Sequence, residues 1–348
     1  MIRRCQLLPL LVAISLPALA QNPLSVGGVA GSPGEIKSGY IEIDPLNDAG
    51  TRIPVSIIQG SSPGPTLALI AGTHGYEYPG ITALQRVRAS IDPKQLSGSL
   101  ILVHIANPPS FYARTIYYSP ADGQNLNRMY PGIADGTLSQ RIAFAITSEV
   151  IEQADYLVDL HAGDGNESLR PYVYMPFTGN TQLDKAAKGI AMAFGLDHIV
   201  IDNRPVSDPD KSLYTDMTAL TRGVPAITSE TGQMGSNDDY WVDKAEFGVW
   251  NVMRHLHMLP GAAVSNDNIV WLTDSEVVRS PASGIFQAAV KDGYAIAEGG
   301  LMGTLFDEFG DEIQKIRAPF AGVVNYVVGT PPVSEGEPVG MVSKIKAD

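Results

Sequence analysis

The chain has 348 residues and a formal net charge of −13, from 37 acidic against 24 basic residues. That balance, with no long Lys/Arg cluster, excludes the electrostatic footprint of a nucleic-acid binder. An acidic surface favours solubility, so an anionic substrate must be drawn in by local arginines and not by the global field.

In chain order, the first segment reads as a leader. Arg3 and Arg4 give a positive start, Leu7 to Leu16 an apolar run, and Ala18-Leu19-Ala20 a small-residue exit. This is the build of a cleavable secretory signal over residues 1–20, and it predicts an exported protein, periplasmic or secreted. The run is broken by Pro9 and Pro17 and is shorter than the roughly 18 residues a span requires. No membrane anchor is expected after cleavage. The single cysteine, Cys5, lies inside the leader, so the mature chain has no disulfide and must stand on its own core.

Beyond an extended, glycine-rich opening, residues 52–59 read as a strand, and Pro65 to Ala71 is an apolar run of the length of a buried central strand. Residues 80–90 have helical spacing, residues 100–106 form another buried strand, and residues 139–153 an amphipathic helix leading into a strand over 156–160. A helix over 181–194, a strand over 226–229 and a helix around 246–257 continue the alternation. Strands and helices in this order build an α/β fold, a mixed central sheet flanked by helices. Residues 260–268 are rich in Pro, Gly, Ala and Asn, like a linker, and short strands separated by glycines follow. The expectation is a catalytic domain over residues 21–259 and a β-rich C-terminal domain over 269–348.

The chemistry gathers at strand ends. Gly72-Thr73-His74-Gly75-Tyr76-Glu77 follows the buried strand ending at Ala71, which puts a His and a Glu on the turn at a strand's C-terminal edge, where open α/β sheets bind ligands. Imidazole nitrogen and carboxylate oxygen both suit zinc, and a catalytic site needs a third ligand with one position left open. His161, at the end of Tyr156-Leu157-Val158-Asp159-Leu160, occupies the same kind of position. If the two strands are neighbours, their tips converge on one metal. Asp159 is placed to orient a ligand imidazole. Between these motifs lie Asn107-Pro108-Pro109-Ser110-Phe111, Arg114, and Asp122-Gly123-Gln124-Asn125-Leu126-Asn127-Arg128-Met129-Tyr130-Pro131-Gly132, residue types suited to oxyanion and carboxylate recognition.

This last stretch resembles the Arg…Asp-Leu-Asn-Arg-x-Phe-Pro-Gly signature of the succinylglutamate desuccinylase/aspartoacylase family of zinc carboxypeptidase-like hydrolases. With Gly-x-His-Gly-x-Glu and Asp-Leu-His, three motifs stand in the family's order. The resemblance implies one zinc per chain on His74, Glu77 and His161, Arg114 polarising the scissile carbonyl, and Asn127 with Arg128 holding a substrate carboxylate. It also implies a catalytic glutamate on a later strand, supplied here by Glu230 in Ala226-Ile227-Thr228-Ser229-Glu230-Thr231-Gly232. Such a carboxylate takes a proton from water and returns it to the leaving amine. Asn125 replaces the family's aspartate and Tyr130 its phenylalanine. The C-terminal segment resembles the β-domain of family members, itself reminiscent of biotinyl or lipoyl carriers, but no Met-Lys-Met or Asp-Lys-Ala pattern supports a covalent cofactor there. Packing beside the active-site mouth is the expected role.

The implied activity is hydrolysis of an amide bond in a small N-acyl amino acid or related carboxylate-bearing compound. The alternatives are a metallocarboxypeptidase acting on short peptides, cell-wall peptides included, and a non-catalytic binding protein of the same fold. His104 reads as a core histidine, and His198, His255 and His257 as structural or solvated. The sequence leaves the oligomeric state open.

Overall fold

The computed structural model describes residues 24–204, 208–266 and 268–347, so the leader expected over residues 1–20 lies outside the described residues. A small hairpin of β1 (Ser25–Val26) and β2 (Val29–Ala30) opens the chain. Then come β3 (Glu35–Ile43), β4 (Thr51–Gln59), β5 (Ser62–Ala71), α1 (Tyr78–Ser90), β6 (Ser97–Val103), α2 (Pro108–Ala113) and α3 (Leu138–Glu149). The alternation continues through β7 (Tyr156–His161), β8 (Glu167–Leu169), β9 (Tyr172–Pro176), α4 (Thr181–Phe194), β10 (His198–Asp202), α5 (Thr215–Thr221), β11 (Ala226–Glu230) and α6 (Asp239–His255). The remainder is all strand: β12 (Val270–Arg279), β13 (Gly284–Ala288), β14 (Ala295–Ile296), β15 (Leu301–Phe306), β16 (Glu312–Arg317), β17 (Gly322–Val328), β18 (Pro332–Val333) and β19 (Pro338–Ile345).

Among the described residues the central sheet has 13 strands, in the order β14-β17-β19-β12-β10-β9-β11-β7-β5-β6-β4-β3, with β8 paired to β17. It is mixed, as expected. β5 runs parallel to both β6 and β7, and β7 parallel to β11, whereas β9 is antiparallel to β11. The continuous apolar run of β5 has its explanation in this layering. Successive side chains of a strand point to opposite faces. Ala68 and Ile70 pack with Leu138, Ile142 and Ile146 of α3 and with Met217 and Leu220 of α5. Leu67, Leu69 and Ala71 pack on the other face with Leu84 of α1, Ile190 and Phe194 of α4, and Val249 and Val252 of α6. Each fully buried Leu or Ile of this strand contributes about 1.5–3 kcal/mol of apolar burial.

Two features differ from the sequence expectation. Helix α6 starts at Asp239, a turn and more before the expected position; its first turns already bury Val242 and Ala245, but the exposed Asp239, Tyr240 and Asp243 around them mask that period in the sequence. The C-terminal segment is also not confined to a sheet of its own. β12 pairs in parallel with β10, and β19, β17 and β14 extend the central sheet from there, while β16-β15-β13-β18 form a separate four-stranded antiparallel sheet.

This topology places the site. β5, β7 and β11 are consecutive parallel strands whose C-terminal ends are level: Ala71 pairs with Leu160, and Glu230 pairs with His161. No helix among the described residues is long and apolar enough to cross a membrane.

Candidate active site

The chain leaves β5 through Gly72, whose φ of +72° favours a residue without a side chain, and turns at once toward α1. Gly75 is required for a different reason. A Cβ there would lie 2.4 Å from the Ser110 carbonyl oxygen and 2.5 Å from that of Thr115, so the turn bearing the first two ligands seats directly against the chain after α2. Asn107 fastens the same junction, donating from Nδ2 to the Thr73 carbonyl at 3.2 Å.

His74, Glu77 and His161 meet here, all buried, with one ligand atom of each within 4.8 Å of the others. Glu77 lies between the two imidazoles: its Oε1 is 2.7 Å from His74 Nδ1 and its Oε2 2.9 Å from His161 Nδ1. The outer nitrogens are both occupied by acceptors. His161 Nε2 donates to Asp159 Oδ2 at 3.0 Å. His74 Nε2 donates to Asn125 Oδ1 at 3.1 Å, an oxygen whose identity is fixed because it also accepts the Asn127 backbone N–H. With a proton on each Nε2, both Nδ1 atoms face the Glu77 carboxylate, where each either carries a second proton and donates to it or, deprotonated, offers its lone pair to a cation.

The electrostatics agree. Burial alone would raise the Glu77 carboxyl, but His161 and His74 outweigh it and hold it down at about 2. Burial would lower His161, yet Asp159 and Glu77 drive it well above the ordinary imidazole range. His74 is raised in the same way, against its own burial, chiefly by Glu77. The cluster therefore takes up positive charge wherever it can, and two nitrogens plus a carboxylate are a donor set that suits zinc. Asp159 and Asn125 fix the tautomers from outside, as partners of ligand histidines do.

Glu230 ends β11 directly across the ladder from His161. Its side chain is partly open to a cleft of about 800 Å³ that also contains His74, Glu77, His161, Asn127 and Arg128. Burial raises its carboxyl well above the usual range, with His161 opposing and Glu77, Glu167 and Asp159 reinforcing. Asn127 accepts from the Thr215 N–H and hydroxyl at 3.1 and 3.3 Å, which leaves its amide NH₂ as a donor. Arg128 lies 4.5 Å over the Tyr214 ring and has no carboxylate partner among the described residues. Arg114 is the exception. It follows α2 on left-handed backbone at φ +54°, is exposed, and does not line the cleft.

A model of the succinylglutamate desuccinylase/aspartoacylase catalytic domain matches residues 63–256. The chain belongs to this family. It is 27% identical over 282 residues to the N-alpha-acetyl-L-2,4-diaminobutyric acid deacetylase of Halomonas elongata, a match covering 78% of this chain and 80% of that protein. The product-bound structure of an ectoine utilization protein from Ruegeria pomeroyi is similar with a TM-score of 0.80 and 27% identity, covering 93% of this chain and 99% of that one. A succinylglutamate desuccinylase structure from Silicibacter gives a TM-score of 0.79 at 26% identity, covering 89% and 95%. As a member of the desuccinylase/aspartoacylase family, this chain is a metal-dependent deacylase acting on C–N bonds.

Several cleft residues carry no local signature in the sequence. Tyr172 and Tyr174 of β9, Thr228 of β11, and Val200 and Asp202 of β10 line the floor. Tyr117 stands edge-on to His74, ring centroids 6.0 Å apart, and donates from its hydroxyl to Glu167 Oε1 at 2.8 Å. Tyr118 also lines this cleft, whereas Tyr112 points into a separate groove over β3 and β4. Val277, Arg279, Tyr326 and Met341 bring the C-terminal strands to the wall. Of this lining, Tyr117 and Tyr118 stand out in the sequence, as an aromatic cluster with Tyr112.

Proposed function

We propose that this chain hydrolyses the amide bond of a small N-acyl amino acid, with zinc held by His74, Glu77 and His161. The observation that carries the reading is the pairing of Glu230 with His161 across β11 and β7, which sets a carboxyl of raised proton affinity beside the ligand cluster and open to the cleft. Zinc, when bound, polarises a carbonyl and lowers the pKa of water. Glu230 accepts the proton of the attacking water and delivers it to the nitrogen as the C–N bond breaks, releasing a carboxylate and an amine. Arg128, which has no carboxylate partner among the described residues, and the NH₂ of Asn127 hold the substrate carboxylate.

The Halomonas relative named for an acetylated diaminobutyric acid supports an amino-acid amide as the substrate class. The wall built by β12, β17 and β19 favours a small substrate over a longer peptide. The test is Glu230→Gln: zinc content is retained and kcat falls roughly 10²–10⁴-fold, the usual share of general acid–base catalysis. Turnover near the wild-type rate in that variant would remove Glu230 from the mechanism.

A further inference from the structure

The hydrolysis above leaves Tyr117 without a part, although it lines the cleft with its ring edge-on to His74, the two centroids 6.0 Å apart. Its backbone is left-handed at φ +56°, a strained conformation for a bulky side chain that persists only where its neighbours over-determine it. Two carboxylates do so here. The Tyr117 N–H donates to Asp164 Oδ2 at 2.9 Å, and its hydroxyl donates to Glu167 Oε1 at 2.8 Å with Asn166 Oδ1 alongside at 3.1 Å. Glu167 Oε2 in turn accepts the Asp164 N–H at 3.1 Å. Neither carboxylate pairs with a Lys, Arg or His among the described residues, and burial raises both, Asp164 to about 6 and Glu167 to about 7. The segment that carries them is itself fixed to the C-terminal strands: Glu167, Ser168 and Leu169 pair with Val328, Val327 and Tyr326 of β17, and the Asn166 carbonyl accepts the Gly329 N–H at 2.8 Å.

Two buried carboxylates without a contact cation are costly, and what they hold is one aromatic ring beside the ligand cluster. The other groups of the substrate are placed on different walls. Asn127 is fastened to Thr215 at the start of α5, with Arg128 over Tyr214, and Glu230 ends β11. With the substrate carboxylate on the first pair and its nitrogen beside Glu230, the substituent left over is the acyl chain. The ring packed against His74 is Tyr117, with Tyr118 edge-on to it at 6.3 Å and also in the cleft. We infer that Tyr117 is a specificity-determining residue whose ring, held in place by Asp164 and Glu167, limits the size of the acyl group. A phenol free to swing aside would admit a longer chain; one clamped at backbone and hydroxyl alike keeps its place. The inference rests on the deacylase reading above and adds which residue measures the acyl side.

The test measures kcat/KM on the zinc-loaded full chain, as wild type, Tyr117→Ala and Tyr117→Phe. One substrate series enlarges the acyl group on a fixed amino acid, as acetyl-, butanoyl- and benzoylnorvaline; the other keeps acetyl and enlarges the amino acid, as alanine, norvaline and phenylalanine. The wild type is expected to lose roughly 100-fold from acetyl to benzoyl, and Tyr117→Ala to recover about tenfold or more of that loss, the range in which an apolar pocket discriminates by size. Tyr117→Phe keeps the ring and the backbone bond to Asp164 and loses only the hold of Glu167, so its ratio falls between the two; a ratio relaxed as far as that of Tyr117→Ala would show that ring size is not the limit. A Tyr117→Ala variant that leaves the acyl ratio intact, or that changes only the amino-acid series, overturns the inference. Cleavage by the wild type with no dependence on acyl size sinks this inference alone, without needing a variant to fold. No cleavage of any N-acyl amino acid sinks the deacylase reading with it.

Discussion

Asp159 and Asn125 are bound to the outer nitrogens of His161 and His74, and their part in the site is to keep the inner nitrogens bare. Removing such a partner costs metal affinity without removing a ligand. Asp159→Asn and Asn125→Leu are each expected to weaken zinc binding about 10- to 100-fold in a chelator-competition titration; unchanged affinity in both would mean that the ligand tautomers are set otherwise. A second histidine shows how the fold responds to acid. His104 Nε2 meets Ser56 Oγ at 2.8 Å, its Nδ1 has no partner, and burial, with some help from Arg88, lowers it from 6.5 to about 4. The folded state therefore binds fewer protons than the unfolded state between those values. Stability from this group is present above pH 6.5 and is lost as the pH falls toward 4, by about 3 kcal/mol in all. Relative to wild type, His104→Gln should flatten the fall in Tm between pH 7 and 4.5; parallel curves would show that His104 is not the titrating group.

At the scale of elements, the site depends on α1 lying tightly against the tips of β5 and β7. Gly80 makes this contact, since a Cβ there would sit 2.9 Å from Leu160 Cβ and 3.0 Å from the Leu160 carbonyl oxygen. Gly80→Ala gains about 1 kcal/mol of helix propensity but must push α1 off the sheet, at about 1–3 kcal/mol of overpacking. The expected result is a lower Tm together with weaker zinc binding, because Glu77 immediately precedes α1; a raised Tm would show that the helix moves without cost. This dependence on packing also explains what could be read in the sequence. His74, His161 and Glu230 were legible because each closes or follows an apolar run, and a run of that kind predicts a buried strand whose end is known. Asp216, Asp202, Tyr172 and Arg279 were not, because their place in the cleft comes from pairings between strands distant in the chain. The docking of β12 beside β10 is of the same kind: residues 270–272 pair with 198–200, and nothing local marks either as the other's neighbour.

For the whole molecule, the consequence of that docking is a single sheet that carries the ligands at its centre and the cleft wall toward one side. The helices shield the sheet, the C-terminal strands close off one flank of the site, and the charge at the cleft is local, with Arg128, Arg204 and Arg279 inside a chain of net charge −13. The account's central claim is that His74, Glu77 and His161 hold the metal on which amide hydrolysis depends. The most direct measurement is the metal content of the purified chain, with turnover of a panel of N-acyl amino acids and short peptides before and after chelation, for wild type, His74→Ala and His161→Ala. The account predicts about one zinc per wild-type chain, chelator-sensitive cleavage of N-acyl amino acids in preference to peptides, and joint loss of zinc and activity in both variants. Full zinc occupancy in both variants, or cleavage that survives complete removal of the metal, would contradict it.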